Sequence, residues 1–235
     1  MTRRADQALT RADFHAAAGC LLVTREPPTA PPPAKGQPAL ISANPEEGVE
    51  ILIAVWNDGS VTALNGHVDL GTGIRTALAQ IVAEELDVGM DRINMVLGDT
   101  TRAPNQGATI ASASIQIHAV PLRAAAAQAR AWLVARAAAL LQVDATLLVV
   151  RNGMVSVNGS DAASVSYALL VGSQHTELSL ALDTPLKAPA DYRIVEDDGS
   201  ITDRDALREK QLQAWALITR TNALQVKVDF IEIGC

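Results

Sequence analysis

Glycines and threonines cluster just before a regular helix in the stretch Gly66–Val88, "GHVDLGTGIRTALAQIVAEELDV". Gly71 and Gly73 leave the backbone N–H groups uncovered, and Thr72 and Thr76 add hydroxyl donors. The first N–H groups of a helix lack partners within it and carry partial positive charge, so a phosphate-like anion can bind there. The same spacing also occurs in tight connections, and Thr76 replaces the third glycine of the dinucleotide fingerprint. The pattern indicates either a turn or a ligand site and disfavours a Rossmann domain.

A second group of small and hydroxyl-bearing residues occupies the polar stretch Gly98–Gln116, "GDTTRAPNQGATIASASIQ". Such a loop can surround a ligand rich in heteroatoms, because exposed main chain and hydroxyl groups donate and accept hydrogen bonds. A solvated linker is the alternative interpretation, but compact domains seldom keep so long a loop without a function. The residues that we expect to contribute are Gly107, Thr109, Ala111, Ser112 and Ser114.

The elements around these two stretches show alternating and helical patterns in turn. A hairpin is predicted from Val49 to Leu70 with its turn at Asn57–Gly59, and a helix from Thr76 to Leu86 follows it. A strand "RINMVLGD", a long alanine-rich helix over Val120–Leu141 and a hairpin turning at Asn152–Gly153 come next. The arginines of the long helix are expected on its wetter side. This order predicts an α+β fold in which antiparallel hairpins pack with two main helices.

Composition excludes several classes of protein. The 235 residues carry a formal net charge of −7 without any basic run, which argues against nucleic acid as a partner. No apolar run approaches the roughly 18–20 residues that a membrane-spanning helix needs. The two cysteines, Cys20 and Cys235, and the four histidines lack the spacing of metal ligands. The sequence therefore predicts no metal ligand set and no iron–sulfur cluster in this chain.

The first 47 residues differ in character from the domain that follows. They combine early arginines, a short apolar run at 16–23 and a proline-rich linker from Pro27 to Pro38. This order indicates either a disordered arm or a degenerate export signal of the twin-arginine type. We expect a cytoplasmic protein, and a periplasmic one if the arm is such a signal.

Three segments in order carry a family resemblance: "DLGTGIRTALAQIVAEELDV", "RINMVLGDTTRAPNQGATIASASIQ" and "PLRAAAAQARAWL". They resemble the molybdopterin-binding subunits of the xanthine dehydrogenase/aldehyde oxidase family. The variant they resemble is that of isoquinoline 1-oxidoreductase beta subunits and nicotinate dehydrogenase large subunits. The resemblance corresponds to the N-terminal portion of such a subunit. It places a cofactor-binding segment at residues 48–195 and leaves residues 196–235 as an unmatched tail.

The resemblance implies a molybdopterin cofactor, in its cytosine dinucleotide form, and assigns residues to it. The family's Gly-Gln-Gly turn beside the cofactor corresponds to Gly71, Thr72 and Gly73, where threonine replaces the glutamine. The family's hydroxyl-rich run around the pterin corresponds, with the preceding glycine, to Gly107, Thr109, Ala111, Ser112 and Ser114. All of these are expected to bind the cofactor, and none is expected to act as a catalytic acid, a base or a metal ligand.

The resemblance also implies what this chain does not contain. Family members oxidise an electron-poor carbon with oxygen from water, and a glutamate in a late glycine-rich motif takes the proton. No counterpart is recognisable here: Glu84 and Glu85 are interpreted as solvated helix charges, and Glu232 lacks the flanking glycines. We therefore expect an incomplete portion of a molybdenum hydroxylase for N-heterocycles or aldehydes, inactive alone. A split subunit and a truncated reading frame both remain open.

The expected partners follow from the same resemblance. They are the remaining molybdopterin-binding segment, a 2Fe-2S small subunit, and a cytochrome c or flavin acceptor that receives the electrons. Two alternatives remain open: a non-catalytic α+β binding or interaction module, or relic, and an unrelated enzyme that uses the Gly71 turn as a generic phosphate site.

Four further residues are assigned structural roles from sequence. His67 is expected to be a partly exposed structural residue of a strand, and the alternative is that it faces the cofactor or substrate. Asp69 and Asp99 are expected to cap turns, and Trp132 is expected to pack against a helix face.

Overall fold

The structure of the chain is a computed structural model that describes residues 3–26, 49–158, 160–188 and 191–193. The helices within these ranges are α1 (Arg11–Ala16), α2 (Ile74–Leu86), α3 (Ala113–Gln116), α4 (Ala119–Leu141) and α5 (Tyr167–Val171). The strands are β1 (Cys20–Arg25), β2 (Glu50–Trp56), β3 (Val61–Asn65), β4 (Ile93–Leu97), β5 (Leu148–Arg151), β6 (Met154–Val157), β7 (Ser160–Ser166) and β8 (His175–Ser179). Short 3-10 turns lie at Arg4–Asp6, Met90–Arg92 and Ala145–Leu147.

Two sheets organise the strands. The larger has the order β4-β3-β2-β1-β8, and the smaller is the antiparallel sheet β5-β6-β7. In the larger sheet β1, β2 and β3 pair antiparallel, whereas β4 and β8 join the two edges in parallel. The α+β class is confirmed, as are the hairpins β2–β3 and β5–β6 and the helices α2 and α4. The parallel edges were not predicted.

The larger sheet is buried on both faces, because alternate residues of a strand point to opposite sides. Leu21 and Val23 of β1 pack in the cluster that contains α2 and α4, together with Leu78 and Leu122. Cys20 and Leu22 face the other way, into a smaller cluster that contains Phe14 and Trp56. A continuous apolar run therefore forms a central strand here, as is usual for strands covered on both sides.

The N-terminal residues belong to this sheet, which corrects one expectation. The composition of 16–23 indicates a disordered arm or an export signal, but β1 lies between β2 and β8 and Cys20–Val23 are fully buried. Thr10 caps α1 in front of it, and the Thr10 N–H bonds Asp13 in return. The interpretation of this stretch as a disordered arm is wrong, because its apolar residues form a buried strand. The proline-rich linker and the tail at 196–235 lie outside the described residues.

A buried ionic cluster joins α2, α4 and the segment after β8. Arg123 Nε donates to Glu85 Oε1 at 2.6 Å, and Lys187 Nζ donates to Glu84 Oε1 at 2.8 Å. Glu84, Glu85 and Arg123 are each no more than 3% exposed. The expectation that both glutamates are solvated helix charges, and that the α4 arginines lie on its wetter side, is therefore wrong at these positions. Burial raises the pKa of both carboxyl groups, and the neighbouring cations oppose that rise.

Within the ranges that the structure describes, no helix combines the length and the apolar character needed to cross a bilayer.

Candidate functional site

The glycine turn leads from β3 into α2 on the surface of the molecule. Gly71 and Gly73 have φ angles of 89° and 75°, and Gly73 is the N-cap of α2. Glycine adopts this left-handed conformation without the strain that other residues would incur. A Cβ added at either position would meet no atom within 4 Å. The turn therefore presents open main chain, and Thr72 beside it is exposed.

Three N–H donors in the glycine turn and the first turn of α2 are already paired with Asp69. Its Oδ1 accepts hydrogen bonds from the N–H groups of Gly71 and Thr72 at 2.9 and 3.0 Å, and its Oδ2 accepts one from Arg75 N at 3.0 Å. These bonds lower the pKa of the carboxyl group. The capping role expected of Asp69 is confirmed. An anion would have to displace this carboxylate, so the structure disfavours a generic phosphate site at the helix N-terminus.

Replacing Asp69 with alanine should lower the free energy of unfolding by about 1 kcal/mol, because three N–H groups of the turn lose their acceptor. Asp69→Asn keeps an oxygen acceptor and should lose less. Chemical denaturation of the three proteins measures the difference. Asp91→Ala, in the exposed turn before β4, is the control and should leave stability within about 0.5 kcal/mol of wild type. Equal stability of Asp69→Ala and Asp91→Ala would show that the cap is not formed.

The hydroxyl-rich loop, residues 98–116, packs directly against residues 66–68, which lead into the glycine turn at 71–73. Gly66 N donates to Gln106 Oε1 at 2.7 Å, and Val68 N donates to Thr109 Oγ1 at 3.0 Å. Ser114 Oγ lies 2.6 Å from Nδ1 of His67. The two stretches that the sequence singled out are thus hydrogen-bonded neighbours, joined through the residues just before the turn.

The predicted binding residues of the loop divide into two groups. The Thr109 and Ser114 hydroxyl groups hold the loop to the end of β3, and Ser114 is only 7% exposed. Ala111 and Ser112 are exposed and have φ angles of 53° and 57°. Non-glycine residues in the left-handed region are uncommon and cluster at functional sites. Ala111, Ser112 and Gly107, whose φ is 79°, form a turn of accessible main chain next to the exposed Ser112 hydroxyl group.

Gln106 is a residue of this loop that the sequence reasoning missed. Its Oε1 fixes Gly66, whereas its Nε2 is buried and has no hydrogen-bond partner among the described residues. A buried donor without a partner costs free energy unless a ligand or water supplies an acceptor. The position of this glutamine next to Gly107, inside the predicted loop, was the one signal that could have identified it.

The structure corrects the environment of His67. The side chain is fully buried, and its ring meets that of His118 edge-on with centroids 4.4 Å apart. Burial lowers the pKa of His67. Burial, His67 and Arg25 together lower the pKa of His118 to about 4. Both imidazoles are therefore neutral near neutral pH.

Acidification should destabilise the fold through this pair. Below pH 6.5 the unfolded chain binds a proton at His118 that the folded chain does not bind, so stability falls as the pH drops towards 4. A loss of about 2 kcal/mol is expected from this residue once its partial exposure is considered. Urea unfolding at several pH values measures it, and His118→Phe should show a shallower decline. The same decline in wild type and His118→Phe would contradict the assignment.

Across the described ranges, no group of three or more histidine, cysteine, aspartate or glutamate side chains could hold a metal ion. The site consists instead of hydroxyl groups, main-chain amides and one side-chain amide. Such a donor set suits a polar organic ligand with many acceptor atoms better than a bare cation.

Comparison with known proteins identifies the class to which this site belongs. The family model described as "Molybdopterin cofactor-binding domain" matches residues 3–231, so the chain belongs to that family, and the predicted resemblance is confirmed. The match includes residues 196–231, which the resemblance found in the sequence left out.

Two relatives agree with this assignment in sequence. A nicotinate dehydrogenase polypeptide of Pseudomonas putida is 53% identical over 175 residues, which cover 74% of this chain and 14% of that protein. The beta chain of isoquinoline 1-oxidoreductase from Brevundimonas diminuta is 32% identical over 148 residues, or 60% of this chain and 18% of that protein. A solved structure of the CO dehydrogenase from Oligotropha carboxidovorans aligns with a TM-score of 0.46 at 30% identity, covering 50% of this chain and 15% of that one. The chain thus spans less than a fifth of the length of each of these proteins.

Proposed function

We propose that this chain supplies one wall of a molybdopterin site in a molybdenum hydroxylase. The observation that carries the proposal is the direct packing of the hydroxyl-rich loop against the approach to the glycine turn. The residues that would hold the cofactor are Gly71, Thr72, Gly73, Gly107, Thr109, Ala111, Ser112 and Ser114. Thr72 and Ser112 would donate through exposed hydroxyl groups, and the glycines, which lack side chains, would leave space for the cofactor beside the turn and the loop.

The residues present fit the cofactor in chemical character. The open space beside Gly71 and Gly73 and the unpaired Gln106 Nε2 leave room and a donor for a large neutral or anionic heterocycle. When bound, the molybdenum centre would supply the redox chemistry. This chain's part would be binding and orientation. Glu84 is bonded to Lys187 and Glu85 to Arg123 within the buried ionic cluster. Neither glutamate therefore fits the role of a proton acceptor beside substrate.

Exposed aliphatic side chains on both stretches support a partner polypeptide. Leu70 is 75% exposed, and Ile110 and Ile117 are each 60% exposed. Val68, on the first stretch, and Val120, at the start of α4, are 39% and 42% exposed. Aliphatic residues gathered next to a polar site are typical of surfaces that another protein segment covers. We assign that role to the remaining molybdopterin-binding segment.

The assembled enzyme is proposed to oxidise an N-heterocycle, or an aldehyde, with oxygen from water. The names of two relatives, a nicotinate dehydrogenase and an isoquinoline oxidoreductase, favour the N-heterocycle. Electrons would leave through a 2Fe-2S small subunit to a cytochrome c or flavin acceptor, and the cofactor would be the cytosine dinucleotide form. The non-catalytic binding module stays as the second candidate, since the acid and the base beside the candidate site, Asp69 and His67, are engaged in hydrogen bonds that hold the turn and the loop.

A cofactor-retention experiment tests the proposal. The full chain is produced together with the products of neighbouring genes, and molybdenum and pterin are measured per purified chain. We expect retention in the wild type and an approximately tenfold loss in the Thr72→Val/Ser112→Ala double variant, because two donors are removed. Thr176→Val, in β8 at the far edge of the sheet, should retain the wild-type content. Absence of both pterin and molybdenum from the wild-type assembly would favour the non-catalytic module.

We further propose a cytoplasmic location. The stretch that would act as a twin-arginine-type signal is folded into the larger sheet as β1, where removal would delete a central strand. A fusion of the first 47 residues to a reporter enzyme should leave the reporter in the cytoplasm. Export of that reporter would support the periplasmic alternative.

A further inference from the structure

His67 links two positions of the hydroxyl-rich loop, Gln106 and Ser114, to the end of β3. Its Nδ1 lies 2.6 Å from Ser114 Oγ, and its Nε2 lies 3.4 Å from the carbonyl oxygen of Gln106. A carbonyl oxygen only accepts hydrogen bonds, so Nε2 carries the proton. Nδ1 then accepts from the Ser114 hydroxyl group. One tautomer of the neutral imidazole satisfies both bonds, which agrees with the burial that keeps this side chain uncharged.

Individual hydrogen bonds hold the loop at this place. Residues 103–112 contain neither helix nor strand. Four hydrogen bonds connect the loop and the start of α3 to residues 66–68, and His67 makes two of them. Among residues 66–68, the His67 side chain alone makes hydrogen bonds to both Gln106 and Ser114. The intervening turn, which contains the left-handed Ala111 and Ser112, is therefore held at its two ends by the same ring.

We propose that His67 is a positioning residue of the candidate cofactor site. Its imidazole fixes the main chain of residues 107–112 opposite the turn at Gly71–Gly73, so that both can contact one ligand. The inference rests on the proposed function for the identity of that ligand. The fixing of the loop stands independently of it.

The unpaired amide of Gln106 points to a ligand at the same end of the loop. The Gln106 carbonyl group is bonded to His67 and its Oε1 to Gly66, so the residue is held from two sides. Its Nε2 is left buried with no acceptor among the described residues. A ligand acceptor that meets this donor would bind only while His67 keeps Gln106 in place.

Amide hydrogen exchange on the full chain tests the positioning role without any cofactor. His67→Leu removes both ring bonds and should speed exchange of the hydrogen-bonded amides within 107–113, those of Gly107 and Ala113, by about tenfold, because local opening no longer breaks the bonds of His67. The amides in the middle of α4 should exchange at the wild-type rate. His118→Phe is the matched control, since it keeps an aromatic ring against His67 and leaves the two hydrogen bonds of the His67 ring intact.

Further variants keep the test decisive if His67→Leu disturbs the whole fold. Ser114→Ala removes one of the two bonds and should reproduce part of the faster exchange. His67→Asn, whose side-chain oxygen can accept from Ser114, should restore part of the protection. Wild-type exchange at 107–113 in both His67→Leu and Ser114→Ala, or equal acceleration by His118→Phe, overturns the inference.

Cofactor content of the assembly completes the test. His67→Leu should lower molybdenum and pterin per chain by at least threefold, and His118→Phe should not. If the wild-type assembly holds no cofactor, the proposed function fails while the exchange data still decide the role of His67. If the loop loosens but cofactor content is unchanged, the positioning role is wrong and the proposed function is unaffected.

Discussion

Replacing Glu85 with leucine should lower the free energy of unfolding by about 3–5 kcal/mol. Glu85 and Arg123 form an ion pair at 2.6 Å with side chains 1% and 4% exposed. Loss of the carboxylate leaves a buried guanidinium, and an arginine side chain keeps its proton in proteins, so the charge remains. Arg123→Leu should cost less, about 2–3 kcal/mol, since burial already raises the pKa of Glu85 and the carboxyl group can become neutral.

Denaturant unfolding of the two single variants and of the double variant Glu85→Leu/Arg123→Leu measures this asymmetry. The double variant should be more stable than Glu85→Leu alone, because neither charge is then left buried without its partner. Arg136→Leu, on the part of α4 where that residue is exposed, is the control for loss of a helix arginine. Additive losses in the double variant would contradict the coupling.

Leu21→Ala should destabilise the protein by about 2–5 kcal/mol. Leu21 is fully buried in β1, opposite Val55 of β2 on one side and Thr176 of β8 on the other. Truncation of a fully buried leucine loses both the transfer free energy of its methyl groups and the contacts around the resulting cavity. Thermal and urea unfolding measure the effect.

Leu70→Ala is the matched control, because the same side chain is 75% exposed there, and its stability should stay within about 0.5 kcal/mol of wild type. The comparison also decides the status of the N-terminal segment. If Leu21→Ala and Leu70→Ala were equally stable, β1 would not be part of the folded sheet, and the arm interpretation would return.

Elements with local patterns could be predicted from the sequence. The period of 3.6 residues in α2 and the turn between β2 and β3 are encoded by neighbouring residues, and both lie within two residues of their predicted positions. The α+β class follows from the order of such elements. The glycine turn and the hydroxyl-rich loop were also identifiable, because side-chain-poor main chain with hydroxyl groups has few structural uses.

Contacts between distant residues could not be predicted in this way. Cys20 of β1 pairs with His175 of β8, and no local pattern marks a partner 155 positions away. The local pattern around Glu84 predicts a solvated side chain, because its partner Lys187 lies far along the chain, after β8. The hydroxyl groups look equivalent in sequence, whereas Ser114 anchors the loop and Ser112 faces solvent. Burial decides the roles of Glu84, Ser112 and Ser114, and the whole fold decides which residues are buried.

The proposed site requires that the glycine turn and the hydroxyl-rich loop contact one molybdopterin. A crystal or cryo-electron microscopy structure of the assembled, cofactor-loaded complex is the decisive measurement. We expect Thr72 and Ser112 of this chain both to lie within about 3.5 Å of polar atoms of the same cofactor molecule. A cofactor that contacts neither residue, or one bound wholly within the partner polypeptides, would show that the proposed site is wrong.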